Sequence, residues 1–280
     1  MIPAEFDYVR AGSVDEAIGM LGDGGDDAKV LAGGHSLLPL MKLRFAAPSL
    51  LVDISRISEL RGIETGGDSF RIGALTRHAD LQERDDVGLI AAVAKQIADQ
   101  QVRNRGTIGG SLANGDAAAD LPAVLLATEG TVTVRGAGGE REIAAADMFQ
   151  GYLSTAVQPG EVLTEVRIPA LAGYGYGYEK FNRRSEDWAM VGVCALVKAG
   201  GGVCEDVRIG LTHMAATPLR ARAAEDALRG QPLDAEHIAS AAQLAAEGTS
   251  PFADLNSTPD YKRHLARVLT KRALTTAGAG

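Results

Sequence analysis

The stretch VLAGGHSLLPLMKLR (residues 30–44) passes from a short apolar strand into two adjacent glycines, a His-Ser pair and an apolar helical pattern. A plain turn needs one residue tolerant of positive φ, so the pair Gly33–Gly34 predicts a close approach of something to the backbone. The same grammar returns at TIGGS (107–111), where Gly109 and Gly110 follow apolar residues and precede a hydroxyl. Consecutive glycines let backbone N–H groups converge on an anion, and a helix beginning at Ser36 would add its partly positive end. Either Gly-Gly alone reads as a tight strand-to-helix turn. Two of them in different lobes could clamp a pyrophosphate from both sides.

Around the first loop, FDYV (6–9), KVLA (29–32) and LLVDI (50–54) read as strands. Between them lie a helix with a Ser13/Glu16 capping box and a stop at Gly22, and a second helix over 37–44 that Ser36 could cap. This β-α-β-α-β rhythm makes residues 1–56 a small α/β lobe. In 57–172 the pattern restarts with SFRIGALT (69–76), a Thr76 cap and helical spacing over GLIAAVAKQIAD (88–99). The segment 101–120 has little apolar periodicity. It leads into a helix with Asp120 as cap and Pro122 in the first turn, followed by strands at 131–134, 141–143 and 162–169. In 173–280, GYGYGYEKF (173–181) should project Tyr174, Tyr176 and Tyr178 from one strand face. Strands 189–197 and 203–211 flank a glycine hairpin, helices follow near 219–229, 235–247 and 260–275, and TTAGAG at the end reads as frayed. The fold class is α+β: two subdomains, then an antiparallel sheet with helices.

Composition narrows the function. The chain has 280 residues, a net charge of −8, 46% hydrophobic and 23% charged residues, which describes a globular protein with no call for nucleic acid. No uncharged apolar run reaches transmembrane length, MIPAEFDYVR lacks the features of a secretory signal, and the chain reads as cytoplasmic. Cys194 and Cys204 are too few for an iron–sulfur cluster and read as small buried side chains. The five histidines lack metal-ligand spacing, so no protein metal site is expected. GAGGE (136–140) joins two strand-like pieces and does not fit a Rossmann fingerprint, which links a strand to a helix.

Three stretches, LAGGHSLLPLMKLR, VRNRGTIGGSLANGDAAADLPAVLLA and YEKFNRRSEDWAMVGVCALV, together resemble the FAD-binding medium subunits of molybdenum hydroxylases. Carbon monoxide dehydrogenase medium subunits are most similar in pattern, and the flavin domain of xanthine dehydrogenase is more distant. The resemblance spans nearly the whole chain. It implies the two-subdomain FAD-binding fold of the vanillyl-alcohol-oxidase type, followed by a C-terminal domain. It implies that backbone amides of Ala32, Gly33, Gly34, His35 and Ser36 hold the FAD pyrophosphate, with Leu31 leading into the loop. It places Thr107, Gly110, Ser111 and Asn114 near the pyrophosphate and ribityl chain, Asp120 near the adenosine ribose, and Asp116 in the same loop. Many relatives carry Asn where this chain has Ser111.

The resemblance sets Lys180 beside the flavin ring, although a lysine at a strand end is ordinarily solvated. The tyrosines at 174, 176 and 178 either cover a flavin face or pack as core. Arg183, Arg184, Asp187 and Trp188 either form a loop beside the flavin or a solvated turn, and at most one of Arg103 and Arg105 should point inward. Ile97 corresponds to a residue near the isoalloxazine and otherwise reads as helix core. The implied function is electron transfer: FAD takes electrons from a [2Fe–2S] subunit and passes them to an external acceptor. Molybdopterin and the [2Fe–2S] clusters would sit on a large and a small partner subunit, in a dimer of heterotrimers that could lie peripherally on the inner membrane face. Two alternatives remain open at this point: a free-standing FAD oxidase or reductase, and a non-catalytic nucleotide-binding module.

Overall fold

Parallel pairing needs a long crossover between strands, and short apolar strands alternating with helices supply it. The computed structural model, which describes residues 2–279, shows this in the first lobe. There β1 (Asp7–Arg10), α1 (Val14–Gly24), β2 (Ala28–Leu31), α2 (Leu37–Leu43) and β3 (Leu50–Asp53) form a sheet with β3 central and parallel to both neighbours. Ser13 Oγ accepts the Glu16 amide at 3.2 Å, but the Glu16 carboxylate accepts from Gly12 N, one residue short of the expected box. Helix α1 also passes Gly22 and stops at Gly25, whose φ of 65° supplies the left-handed turn.

The second lobe is built on an antiparallel sheet. β4 (Ile63–Gly66) and β5 (Ser69–Gly73) precede α3 (His78–Gln82), α4 (Leu89–Ala94), α5 (Gln100–Arg103), α6 (Ile108–Asn114) and α7 (Asp120–Thr128). β6 (Thr131–Gly136), β7 (Gly139–Ala144), α8 (Ala145–Met148), the hairpin β8 (Phe149–Gly151) and β9 (Ser154–Thr155), and β10 (Val162–Pro169) complete it. The sheet order is β4-β5-β10-β6-β7. Several local expectations are corrected here. Arg77, not Thr76, occupies the N-cap of α3, because the Thr76 hydroxyl is committed to the backbone of Gly62. The helix expected over 88–99 ends at Ala94, and Ala98 is left-handed at φ 43°. The segment 101–120 holds two short helices, whose glycines and polar residues hide the helical period.

In the C-terminal part, β11 (Tyr174–Phe181), β12 (Val191–Gly200), β13 (Val203–Thr212) and β14 (Leu219–Arg220) form one antiparallel sheet. α9 (Arg222–Leu228), α10 (Ala235–Gln243) and α11 (Pro259–Gly278) cover it. Residues 219–220, expected to open a helix, are the edge strand β14. The terminal TTAGAG is not frayed through its first residues, since α11 continues to Gly278; Gly280 lies outside the described residues. Strand β12 is buried on both faces. Val191, Val193, Ala195 and Val197 pack with the helices, while Cys194 and Leu196 join the core of the second lobe. That accounts for a continuous apolar run in an antiparallel strand. Both cysteines are free and buried, and burial pushes their thiols up to about 12 for Cys194 and about 11 for Cys204.

The Gly-Tyr alternation of β11 has a packing origin. A Cβ on Gly175 or Gly177 would stand 2.1 or 2.2 Å from the carbonyl oxygen of Ala277 or Ala273, so the glycine face lets α11 lie on the strand. The tyrosine face turns to the second lobe, where Tyr178 and Tyr174 pack against its core.

Candidate cofactor cleft

Parallel strands end where helices begin, and the crevice beyond their carboxyl ends collects loop backbone. At the ends of β2 and β3 lies a cleft of about 590 Å³ between the first and second lobes, also reached by the C-terminal sheet. Its volume falls within the roughly 300–1,000 Å³ usual for cofactor sites. Leu31, Ala32, Gly33, Gly34, His35, Ser36, Thr107, Gly110, Ser111, Asn114, Asp120 and Lys180 all line it. Asp116 does not; its carboxylate accepts the Ala118 amide at 2.9 Å and shapes the turn into α7.

The two glycine loops are not equivalent. Among the described residues, the amides of Gly33, Gly34, His35 and Ser36 donate to no protein acceptor, and the segment lies on the cleft wall. In the second loop the amides are used: Ile108 N donates to Thr76 O, Gly109 N to Ala74 O, Gly110 N to Thr107 Oγ1 and Ser111 N to Thr107 O. The symmetric clamp is therefore replaced by one wall of free amides facing one wall of side chains, Thr107, Ser111 and Asn114. The glycines divide their work too. Gly34 has a φ of 79°, whereas a Cβ on Gly33 would stand 2.3 Å from the Arg105 carbonyl oxygen. The close approach foreseen at Gly33 is thus the chain's own second loop. Likewise Gly109 is packed on Ala74, its Cβ position 2.5 Å away, and a Cβ on Gly110 would stand 2.8 Å from the capping Thr107 Oγ1, with Ala32 at an ordinary 3.8 Å.

Ser36 precedes α2 without a side-chain capping bond, which leaves its hydroxyl free at the cleft. Asp120 is not a cap: Ala119 holds that position, and Asp120 turns its buried carboxylate to the C-terminal sheet. It accepts from Tyr178 Oη at 2.5 Å and from Lys180 Nζ at 3.1 Å. Lys180 is buried, its side chain 3% exposed, and it also donates to Gln96 O at 3.1 Å. Burial pushes the Asp120 carboxyl up, against the opposing pull of Lys180 and Tyr178, and burial beside Asp120 holds the Tyr178 hydroxyl well above its ordinary value. The 3.1 Å pair puts Asp120 and Lys180 side by side in the cleft wall.

Ile97 lines the cleft next to Gln96, so it is wall as well as helix-end packing. None of the three tyrosines lines it, and the core alternative holds for Tyr174 and Tyr178. Neither Arg103 nor Arg105 lines it either; Arg103 Nη1 donates to the carbonyls of Ile97 and Ala98. In the loop after β11, Asp187 and Trp188 line the cleft while Arg183 and Arg184 pair with Asp187.

His78 was not foreseen. It is buried in the cleft wall beside Gly106, its Nδ1 has no partner, and burial, with Arg103 and His35 nearby, lowers its pKa to about 4. A neutral ring therefore joins the wall. The segment Thr155–Leu163, with Gln158 and Glu161, closes another side. These residues carry no motif, and only the tertiary fold reveals them.

A model of the FAD-binding domain in molybdopterin dehydrogenase matches residues 4–171, and one of the CO dehydrogenase flavoprotein C-terminal domain matches residues 176–277. The chain is 44% identical to the carbon monoxide dehydrogenase medium chain of Hydrogenophaga pseudoflava, covering 100% of this chain and 99% of that one. It is 40% identical to the 6-hydroxypseudooxynicotine dehydrogenase complex subunit alpha of Paenarthrobacter nicotinovorans, over 99% of this chain and 96% of that one. A solved carbon monoxide dehydrogenase structure from Hydrogenophaga pseudoflava superposes with a TM-score of 0.96 at 46% identity, covering 100% of this chain and 99% of that one. A cleft of free amides in a matched FAD-binding domain, with full-length likeness on both sides, shows that the chain belongs to the family of FAD-binding medium subunits of molybdenum hydroxylases.

Proposed function

We propose that this chain carries FAD as the electron-transfer subunit of a multi-subunit molybdenum hydroxylase, receiving electrons from a [2Fe–2S] subunit and releasing them to an external acceptor. The observation that carries this reading is the run of four unpaired amides, Gly33 to Ser36, on the wall of a dinucleotide-sized cleft. Lobes 1–56 and 57–172 would hold the cofactor between them, and 173–280 would supply Lys180. The amides suit the pyrophosphate, because they offer donors without a side chain in the way. Thr107, Ser111 and Asn114 suit the ribityl chain with hydroxyl and amide groups on the facing wall.

Lys180 and Asp120 belong together at the flavin end, since Lys180 is bonded to Gln96 next to Ile97. The ammonium there would favour electron density arriving on the ring. FAD, when bound, supplies single-electron entry and two-electron exit. The chain's own part is to hold it, shield it and set its field. Relatives named for carbon monoxide and for 6-hydroxypseudooxynicotine share this architecture, which supports a substrate pocket on another polypeptide. The partners would be a large molybdenum–pterin subunit and a small [2Fe–2S] subunit, in a cytoplasmic dimer of heterotrimers.

The test is purification of the full chain from its native host with whatever accompanies it, followed by a flavin spectrum and a metal assay. One FAD per chain, with co-isolated molybdenum- and iron-containing chains, is the expected result. A complex that stays colourless after incubation with FAD overturns the reading, as does a flavin-loaded chain that oxidises a substrate alone.

A further inference from the structure

Lys262 is the largest fully buried side chain that is also a cation, and the cleft does not use it. Its ammonium donates to Asp254 Oδ2 at 2.6 Å and lies 3.2 Å from His213 Nε2. His213 Nδ1 lies 2.8 Å from the carbonyl oxygen of Ala189. A carbonyl only accepts, so Nδ1 carries the proton, Nε2 is the acceptor, and the bonds run in one direction: Lys262 to His213 to Ala189. His213 is held in the left-handed region at φ 63°, and its amide donates to Ala117 O at 2.7 Å. The strut therefore reaches two segments at once. One is the turn before Asp120; the other is the residue after Trp188, which lines the cleft. Burial works to raise the Asp254 carboxyl, yet Lys262 and the amides of Asn256 and Ser257 hold it below its ordinary value.

We propose that His213, locked in one tautomer by Lys262, is a positioning residue that fixes the Trp188 loop at the cleft mouth from helix α11. The loop's other hydrogen bonds are local, Arg184 to Asp187 and Met190 N to Phe181 O, so this is its one long-range side-chain hydrogen bond among the described residues, beside the packing of Met190 on the C-terminal core. The part of the proposal that concerns FAD rests on the cofactor reading above, while the part that concerns the loop does not.

Trp188 is the only tryptophan in the chain, so its fluorescence reports the loop directly. The experiment measures acrylamide quenching of Trp188 in the FAD-free full chain, together with thermal unfolding and FAD titration, for His213→Asn, Lys262→Met and Asp254→Asn. Asn tolerates the left-handed backbone and is too short to bridge Ala189 and Lys262. His213→Asn should raise the quenching constant about twofold and weaken FAD binding roughly three- to tenfold, the range of one lost hydrogen bond. Asp254→Asn should lower the melting temperature and leave quenching unchanged. Lys262→Met should combine both effects; if it fails to fold, the other two variants decide. Unchanged quenching in folded His213→Asn, or a rise in Asp254→Asn as large as that in His213→Asn, overturns the strut. Failure of every form, wild type included, to bind FAD would instead overturn the cofactor reading.

Discussion

At the scale of single residues, the glycines of the first loop show why like residues need unlike explanations. Gly34 answers to its backbone angle and Gly33 to the Arg105 carbonyl. Gly33→Ala should destabilise the fold by about 1–3 kcal/mol, the usual cost of overpacking, measured as a lower urea midpoint with or without FAD. A loss of FAD affinity at unchanged stability would show that the residue faces ligand and not chain. His78 gives a second test. Its folded pKa, near 4, lies below the ordinary 6.5 because burial disfavours the cation. A lowered folded value means that the unfolded chain binds the proton more readily, so this contribution is complete above pH 6.5 and is lost as the pH falls to 4. About 3 kcal/mol is at stake at roughly 1.4 kcal/mol per unit. Urea unfolding at pH 7.5 and 4.5 should show a steeper loss in wild type than in His78→Leu, and parallel losses would refute the burial argument. Gly33, Gly34 and Ser36 were legible as a loop with open backbone because their spacing is local. His78 was not, because its burial depends on Gly106, distant in sequence.

Among elements, periodicity exposed the strands and long helices but failed where side chains serve tertiary contacts. Helix α6 escaped detection because Gly109 and Gly110 leave it few apolar residues, though its Thr107 cap, bonded to Gly110 N, fits an ordinary N-cap signal. Asp120 misled for the opposite reason. It has the composition of a cap, yet it sits one residue inside the helix and answers to Lys180, sixty residues away. In β11 the period was read correctly as one tyrosine face, while the reason for the glycine face lies in α11. Gly177→Ala should therefore lower stability by about 1–3 kcal/mol as α11 is pushed off the strand. Tyr176→Ala, at a half-exposed side chain 41% accessible, should stay within about 0.5 kcal/mol. Comparing the two melting temperatures tests whether the glycines, and not the tyrosines, set the helix-on-sheet packing.

For the whole molecule, the cleft exists only because three sheets meet. Leu31 to Ser36 come from the first lobe, Thr107 to Asp120 from the second, and Lys180 from the C-terminal sheet. The buried contacts continue across these boundaries, with Val162 in the core of the first lobe and Cys194 and Leu196 in that of the second. A ligand that touches all three parts stabilises the folded chain by mass action on the whole, about 2.7 kcal/mol at a hundredfold excess over its Kd. At 2–4 °C per kcal/mol for chains of about this size, FAD at that excess should raise the melting temperature by roughly 5–10 °C in a single transition. Lys180→Met should reduce that shift when measured at the same FAD concentration, because the C-terminal sheet then loses what is, among the described residues, its only charged group on the cleft outside the Trp188 loop. Two separate transitions, with only one moved by FAD, would show that the lobes bind the cofactor without the C-terminal sheet, and would remove Lys180 from the site.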